Sequence, residues 1–451
     1  MTEIFATSIQ LLMHSMTGTF LLILLPIVIP IMLVVTWWIL RYRLVSMRAI
    51  ESQKSCLLEI KLPKEVLKSP AGMEIFFSYF AQGGAKTLAE TYLEGKSRPW
   101  FSCELVSIEG EVRFFVWCSQ AKFKSVVESQ LYAQYPNIEV HEIKDENDYT
   151  RNVSYDLEKY IFYACQFKKA KADPYPIRTY IDYGLSDDPK DEFKIDPMTA
   201  VLEFLGSMRK GENLWLQILI QKHEPEGWKH GTVLMDTDPK KANIFEKMLM
   251  SLLGKSRSLK DEVKKEIEKI REEAIPKPKP GEEISFKFPN PTKGQNEDIA
   301  ALERNGGKQP FDCTIRGVYA AETKVFDAVN ITGMLGCFRQ YEGLNNIKLG
   351  LNSDVTDFEK EFIAFTPFLW FLKSHQKRVI ERMRGDLLHA YKLRSYFQLP
   401  YKKYGKGSKP FILSTEELAS LFHFPSGLVS QTPTLKRVES KKSGAPANLP
   451  I

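Results

Sequence analysis

The sequence predicts an α+β protein in which one N-terminal transmembrane helix precedes two tandem ferredoxin-like (βαββαβ) units, the second carrying a long helical insertion. Three observations predict this fold class. Residues 20–40 form an uncharged, apolar stretch. Residues 55–145 show apolar patterns in the order strand, helix, strand, strand, helix, strand, which is the split-βαβ order. Residues 155–355 repeat that order at longer spacing.

The composition is that of a folded protein and not of a disordered or collagen-like chain. Of 451 residues, 43% are hydrophobic and 26% charged, and the formal net charge is +6. The charge is uneven, because residues 373–442 hold 15 Lys and Arg against 5 Asp and Glu. The six cysteines include no C-x-x-C pair and the seven histidines are scattered, so we expect free thiols, no metal and no cofactor.

The uncharged stretch 20–40 predicts a membrane anchor, because about 20 apolar residues span a bilayer core. Two tryptophans end it, basic residues follow it, and residues 1–19 carry one charge. The tryptophans are Trp37 and Trp38, the basic residues are Arg41, Arg43 and Arg48, and the one charged residue before the stretch is Glu3. The bias predicts a protein of the cell inner (cytoplasmic) membrane with its N-terminus outside and its C-terminal domains in the cytoplasm. A cleaved signal peptide is the alternative, but the basic start and an A-x-A site are missing.

The first predicted unit begins with the strand "CLLEIKL" at 56–62 and a helix opened by Ser69-Pro70. The runs "FSCELVSI" and "EVRFFVWC" flank Glu109-Gly110, which predicts a β-hairpin. A helix at 121–135 and a strand at 138–143 complete the unit.

The second predicted unit contains the strand "YIFYACQFKK", a helix opened by Asp196-Pro197 and the strand "LWLQILIQKH". An insertion at 240–300 then provides a helix from about Ala242 to Glu273 and a linker rich in proline and charge. The strand "FDCTIRGVYA", the helix "AETKVFDAVNITGMLGCF" and the weak strand "NNIKLGLN" follow. A chance match between two common α+β orders is the alternative to a true repeat.

No pattern for catalysis stands out. The Gly-Lys-Ser fragments at 95–97 and 254–256 lack the glycine five positions earlier that a phosphate-binding loop requires. There is no G-x-S-x-G elbow and no paired-carboxylate set tied to a recognisable turn. We therefore expect a protein that is not an enzyme.

Residues 356–410 predict a basic helix followed by a basic loop in which tyrosines alternate with lysines. Such a surface could contact nucleic acid, anionic lipid or a partner protein, or it could simply face solvent. The residues that would make nucleic-acid or lipid contact are Lys373, Lys377, Arg378, Arg382, Arg384, Lys392, Arg394, Lys402 and Lys403.

Residues 411–451 predict a short capped helix followed by an extended tail. Ser414 and Glu417 have the spacing of a capping box, and Pro425 ends the helix. The segment and its tail contain the motif residues Ser414, Thr415, Glu416, Glu417, Leu418, Leu421, Phe422, His423, Phe424, Pro425, Thr432, Pro433, Thr434, Leu435, Pro446, Asn448, Leu449 and Pro450. In these residues the chain resembles an uncharacterised bacterial family, a domain of unknown function.

The resemblance implies a partner. In that family, similar segments stand immediately before a HerA/FtsK-like or VirD4-like ATPase domain of the type IV secretion and conjugative DNA-transfer class. Because this sequence stops at Ile451 without Walker residues, we expect a split arrangement in which the ATPase is a separate protein. The segment 414–450 would then be the docking segment. One alternative is a nucleic-acid-binding module that contacts nucleic acid, such as DNA, through the basic region. The other is a membrane scaffold that forms a homo-oligomer.

Overall fold

The computed structural model describes residues 28–50, 52–63, 68–81, 90, 94–135, 137–151, 159–186, 195–223, 259–275, 289–349, 385, 387–397 and 410–425. These residues form a mixed α+β structure. Contacts divide the chain into two units, one of residues 1–53 and 85–97 and the other of residues 54–84 and 98–451.

The first unit contains the helix α1 (Val28–Ile50), whose apolar side chains are exposed. α1 is long and apolar enough to cross a membrane, as a signal sequence near an N-terminus can also be. The Arg41 guanidinium lies over the Trp37 ring, 5.4 Å from its centroid. The described residues thus contain one candidate membrane helix. The beginning of the predicted span, residues 20–27, lies outside them.

The second unit is built on one antiparallel sheet, to which nine strands of the described residues belong. The strands are β1 (Cys56–Lys61), β2 (Trp100–Ile108), β3 (Glu111–Cys118), β4 (Glu139–Ile143), β5 (Tyr160–Lys169), β6 (Glu212–Lys222), β7 (Pro310–Glu322), β8 (Ile347–Leu349) and β9 (Phe411–Ser414). Its helices are α2 (Ala71–Tyr79), α3 (Lys124–Gln134), α4 (Pro197–Gly206), α5 (Leu259–Glu273), α6 (Lys293–Gly307), α7 (Ala328–Gly336) and α8 (Thr415–Leu421).

The strands follow the order β4-β1-β3-β2-β6-β7-β5-β8, and β9 pairs with β7. The first four strands therefore occupy one half of the sheet and the next four the other half. The halves join where β2 pairs with β6 from Trp100↔Gln221 to Ile108↔Asn213. The residues predicted as two domains thus share one continuous sheet.

Local signals in the sequence explain several of these elements. The predicted hairpin between β2 and β3 is present, and its turn residues Glu109 and Gly110 both have positive φ, 53° and 88°. Two residues with φ > 0 are what a tight hairpin turn needs. Asp196 caps α4 as predicted, because its side chain accepts a hydrogen bond from the backbone N–H of Met198.

The last residues of the predicted linker form a helix that the sequence did not predict. α6 begins at Lys293, where the side chains and backbones of Thr292 and Gln295 form a capping box. α6 packs against α5 through a small apolar cluster. The cluster consists of Leu259, Val263, Ile267, Ile299, Leu302 and Ile412.

The described part of the predicted insertion helix is α5, which begins at Leu259. The predicted start at Ala242 lies outside the described residues.

The two faces of the sheet are covered differently. Alternate residues of each strand face the main core, which α2, α3, α4, α7 and α8 cover, as Leu58 and Ile60 do on β1. The opposite face carries a second aromatic cluster that residues 387–397 cover with Leu388, Tyr391, Tyr396 and Phe397. The described parts of the two segments predicted to be functional, residues 387–397 and α8, therefore lie on opposite faces of the same sheet.

Candidate functional site

The predicted docking segment begins inside the fold. Residues 411–425 are all buried. β9 pairs with the start of β7 from Pro310↔Ser414 to Cys313↔Phe411, and α8 follows directly. The predicted capping box is present, because Ser414 Oγ accepts from the Glu417 N–H and the Glu417 carboxylate accepts from the Ser414 N–H. The local prediction of a capped helix is thus confirmed, while its burial was not anticipated.

Glu417 has a second role, in a buried ion pair. The Lys169 ammonium lies 2.8 Å from Glu417 Oε1, and both side chains are 1% exposed. The backbone N–H of Ile177 donates to the same carboxylate at 3.0 Å. A buried carboxylate needs such partners to offset its desolvation. Glu417 therefore ties α8 to the second half of the sheet.

Glu416 and Ser420 extend this attachment. Glu416 accepts a hydrogen bond from Thr179 Oγ1 at 2.7 Å, and the Arg304 guanidinium lies 3.1 Å away. Burial raises the pKa of Glu416, although Thr179 and Arg304 oppose that shift. Ser420 Oγ accepts from the backbone N–H of Tyr180 at 2.9 Å. The chain itself thus supplies partners to Glu416 Oε1 and Ser420 on the polar face of α8, while Glu416 Oε2 has the Lys308 ammonium at 3.8 Å.

His423 is held between a carboxylate and a carbonyl. Its Nε2 lies 3.0 Å from Asp196 Oδ1 and 3.1 Å from Oδ2, and its Nδ1 lies 2.9 Å from the carbonyl oxygen of Ala419. Because both acceptors require an N–H, this geometry favours the imidazolium. Burial alone would lower the pKa of His423, but the Asp196 carboxylate and the carbonyl contacts raise it. Burial likewise opposes ionisation of Asp196, but His423 lowers its pKa overall.

Aromatic side chains attach the end of the segment to the first half of the sheet. Phe422 makes edge contacts with Phe77 and Phe114, and Phe424 makes them with Phe114 and Tyr135. The centroid of the Phe424 ring lies 4.9 Å from that of Tyr135. Residues 411–425 therefore bridge both halves on the helical face.

These contacts change what the predicted docking residues can do. In this structure the side chains are core groups and do not form an accessible surface, because their partners are supplied by the same chain. The residues concerned are Ser414, Glu417, Leu418, Leu421, Phe422, His423, Phe424 and Pro425. The other predicted docking residues, Thr432, Pro433, Leu435, Asn448, Leu449 and Pro450, lie outside the described residues.

Arg394 was predicted to contact nucleic acid or lipid, and the structure places it in a buried ion-pair network instead. Its Nε donates to Glu104 Oε1 at 2.8 Å, and its Nη1 donates to Asp148 Oδ2 at 2.7 Å. Arg394 is 3% exposed. Burial opposes its charge, but Glu104 and Asp148 raise its pKa well above the usual range. The guanidinium is neutralised internally and is not available to a phosphate.

The backbone at Arg394 is also unusual, with φ of +50°. The backbone N–H of Ser395 donates to the carbonyl of Ala390 and that of Arg394 donates to Tyr391. This is the Schellman pattern that ends helices, and its left-handed position usually holds glycine. An arginine persists there because its side chain is held by Glu104 and Asp148 and its carbonyl accepts from Trp100 Nε1.

Of the remaining predicted basic residues, Lys392 is half-buried, and burial lowers its pKa. The others lie outside the described residues, and they are Lys373, Lys377, Arg378, Arg382, Arg384, Lys402 and Lys403.

A polar row that the sequence did not predict crosses the second face of the sheet. Glu104, Gln217, Arg316 and Gln166 are register partners on four neighbouring strands. Gln217 Nε2 donates to Glu104 Oε1 at 3.0 Å. Arg316 donates to the carbonyls of Ala390 and Ser395, and burial lowers its pKa to about 10. A single charged residue within an apolar strand, such as Glu104 in "FSCELVSI", was the only available signal for this row.

Within the described residues, no group of three or more His, Cys, Asp or Glu side chains could hold a metal ion. Fold and site together define an α+β protein with a candidate membrane helix and a large antiparallel sheet, on whose two faces α8 and residues 387–397 pack. Residues 83–436 match the family described as Domain of unknown function (DUF8128), and the chain belongs to this family. The predicted membership of an uncharacterised family is thereby confirmed. No curated protein sequence matches the chain.

Proposed function

We propose that the protein is a non-enzymatic, single-pass membrane protein whose sheet domain is a platform for a separate translocating ATPase of the type IV secretion or conjugative DNA-transfer class. The burial of residues 411–425 carries this proposal. Residues 411–425 resemble a segment that precedes such ATPases, and here they are built into the domain. Residues that follow Pro425 therefore start from a fixed position on the platform.

The docking segment is accordingly narrower than the sequence indicated. Lys169 holds Glu417, Asp196 holds His423, and the Phe424 ring packs on Tyr135. Releasing these groups to a partner would leave buried charges unpaired, which is costly. We therefore assign docking to residues 426–451 and a structural role to residues 411–425.

The proposed orientation places the sheet domain in the cytoplasm. Support comes from Arg41, Arg43 and Arg48 at the C-terminal end of α1, because basic residues favour the cytoplasmic side. Trp37 and Trp38 precede them near the C-terminal end of the uncharged stretch 20–40, the position at which aromatic side chains favour the bilayer interface.

We interpret the platform as two ferredoxin-like units fused edge to edge. In each half the strands lie in the order fourth, first, third, second, which is the order of the split-βαβ fold. The helices after the first and third strands of each half, α2, α3, α4 and α7, supply residues to the same core. Pairing between β2 and β6 then removes two exposed sheet edges, which supports a rigid platform.

Affinity purification from membranes tests the docking proposal. The full chain and a chain that lacks residues 426–451 are each co-expressed with a Walker-containing ATPase of the proposed class from the same cell, solubilised in detergent and purified. We expect the truncation to abolish ATPase recovery while limited proteolysis shows an intact sheet domain. Unchanged recovery with the truncated chain would contradict docking by this segment.

A matched pair of variants controls for tail length. The triple substitution Thr432→Ala, Pro433→Ala and Leu435→Ala alters the family motif, whereas Lys441→Ala with Lys442→Ala alters the same tail outside it. We expect only the first set to reduce ATPase recovery. Equal losses in both sets would indicate nonspecific attraction to the basic tail.

A further inference from the structure

Two buried thiols face each other at one end of the sheet. Cys56 is the first residue of β1 and Cys118 the last residue of β3, and the antiparallel register makes them direct partners. Both side chains belong to the main core, so they lie on the same face. All six cysteines are free thiols in this structure.

The spacing of direct partners suits a disulfide. Opposed residues of an antiparallel pair have Cα atoms about 4.5–5.5 Å apart, and a disulfide joins Cα atoms about 4.4–6.8 Å apart. Cys103 is the nearest competitor on the same face, but it is opposite Val116 and thus diagonal to Cys118. Diagonal neighbours are about 7–8 Å apart, which is too far without backbone movement.

The two thiols also differ chemically in a way that suits exchange. The hydrogen bond with Cys118 lowers the pKa of Cys56, and the same contact raises the pKa of Cys118. Cys56 is therefore the better thiolate and the expected nucleophile. It directly follows residues 52–55, which are exposed or half-exposed, so opening of this strand end gives a reagent access.

We propose that Cys56 and Cys118 form a reversible oxidation site that reacts with low-molecular-weight disulfides of the glutathione class. The Cys56 thiolate attacks one sulfur of the disulfide, forms a mixed disulfide and releases one thiol. Cys118 then attacks the Cys56 sulfur, closes the intramolecular bond and releases the second thiol. The two cysteines lose two electrons and two protons, and the two released thiols gain them.

The bond would join the first strand after the apolar helix to the strand beside it. It would close a loop from residue 56 to residue 118, which restricts the unfolded chain and stabilises the sheet. The inference is independent of the proposed docking role, because it concerns residues that are distant in sequence from the tail.

Thiol counting on the full chain in detergent tests the proposal. The protein is equilibrated with excess oxidised glutathione, alkylated in denaturant and digested for peptide mass mapping. We expect the free thiols to fall from the six of the untreated chain to four, with Cys56 linked to Cys118. Dithiothreitol should restore all six, and the oxidised chain should unfold at higher temperature.

Single variants make the assignment specific. Cys56→Ser and Cys118→Ser should each abolish the intramolecular link, whereas Cys103→Ser should keep it. A Cys103–Cys118 link in the folded wild-type chain would overturn the assignment. Six unreacted thiols after equilibration, or a link that forms only in denaturant, would overturn the proposal itself.

Discussion

His423 and Asp196 form a buried ion pair between residues 227 positions apart in the sequence. Asp196 also caps α4, so one carboxylate both starts a helix and holds the end of the C-terminal segment. This relationship makes the attachment of residues 411–425 depend on protonation, and it leads to the first prediction.

Stability should fall on both sides of a pH window that this pair defines. The raised pKa of His423 means that its contribution is complete below the ordinary value of 6.5 and is lost as pH rises through the folded pKa. The lowered pKa of Asp196 means that its contribution is present above 3.8 and is lost as pH falls through the folded pKa. Thermal unfolding of the full chain in detergent measures this profile. His423→Gln should remove the loss on the alkaline side, and an unchanged profile would contradict the ion pair.

Lys169→Met should destabilise the domain by about 3–5 kcal/mol, because it leaves the Glu417 carboxylate buried without a cation. Adding Glu417→Gln should recover part of the loss. Urea unfolding followed by tryptophan fluorescence measures both variants. The control is Lys124→Met, which removes an exposed pair with Glu142 and should change nothing measurable. Equal losses of unfolding free energy in the two lysine variants would show that the buried ion pair stabilises the domain no more than the exposed one.

Arg394→Gly should be less destabilising than Arg394→Ala by about 1 kcal/mol, although both lose the same ion pairs. The residue has φ of +50°, where glycine has no Cβ penalty and alanine does. Denaturant unfolding of the two variants measures the difference directly. If alanine proved the more stable replacement, residue 394 would not have the left-handed conformation.

Arg316→Met should be tolerated far better than Arg394→Met. Among the described residues Arg316 contacts backbone carbonyls and the Tyr396 ring but no carboxylate, so its removal leaves no buried anion unpaired. Removal of Arg394 leaves Glu104 and Asp148 without their cation, which should lower the free energy of unfolding by about 3–5 kcal/mol. Midpoints of urea unfolding distinguish the two outcomes. A larger loss for Arg316→Met would indicate a counterion that this geometry does not contain.

Local features of the chain were predictable where neighbouring residues decide them. The Glu109-Gly110 turn, the Asp196 cap and the Ser414–Glu417 capping box each depend on fewer than five consecutive residues. The same reasoning failed at Arg394, because its basic neighbours indicate a charged surface and nothing nearby reveals Glu104, 290 positions away. Sequence reasoning also did not reveal that the motif at 414–425 is buried, because its partners Lys169 and Asp196 are distant in the sequence.

By itself, the sequence determined the apolar helix, the strands and helices of the first half of the sheet, the Asp196 and Ser414–Glu417 caps and the membership of an uncharacterised family, since these follow from composition, periodicity and short spacings. It did not indicate α6 or β9. Only the tertiary structure decided that the two strand sets share one sheet and that α8 and residues 387–397 pack on its opposite faces. The physical reason is that burial of a charged residue is set by partners distant in sequence. Lys169 pairs with Glu417 and Asp196 pairs with His423, so that residues predicted to form a docking surface are part of the core.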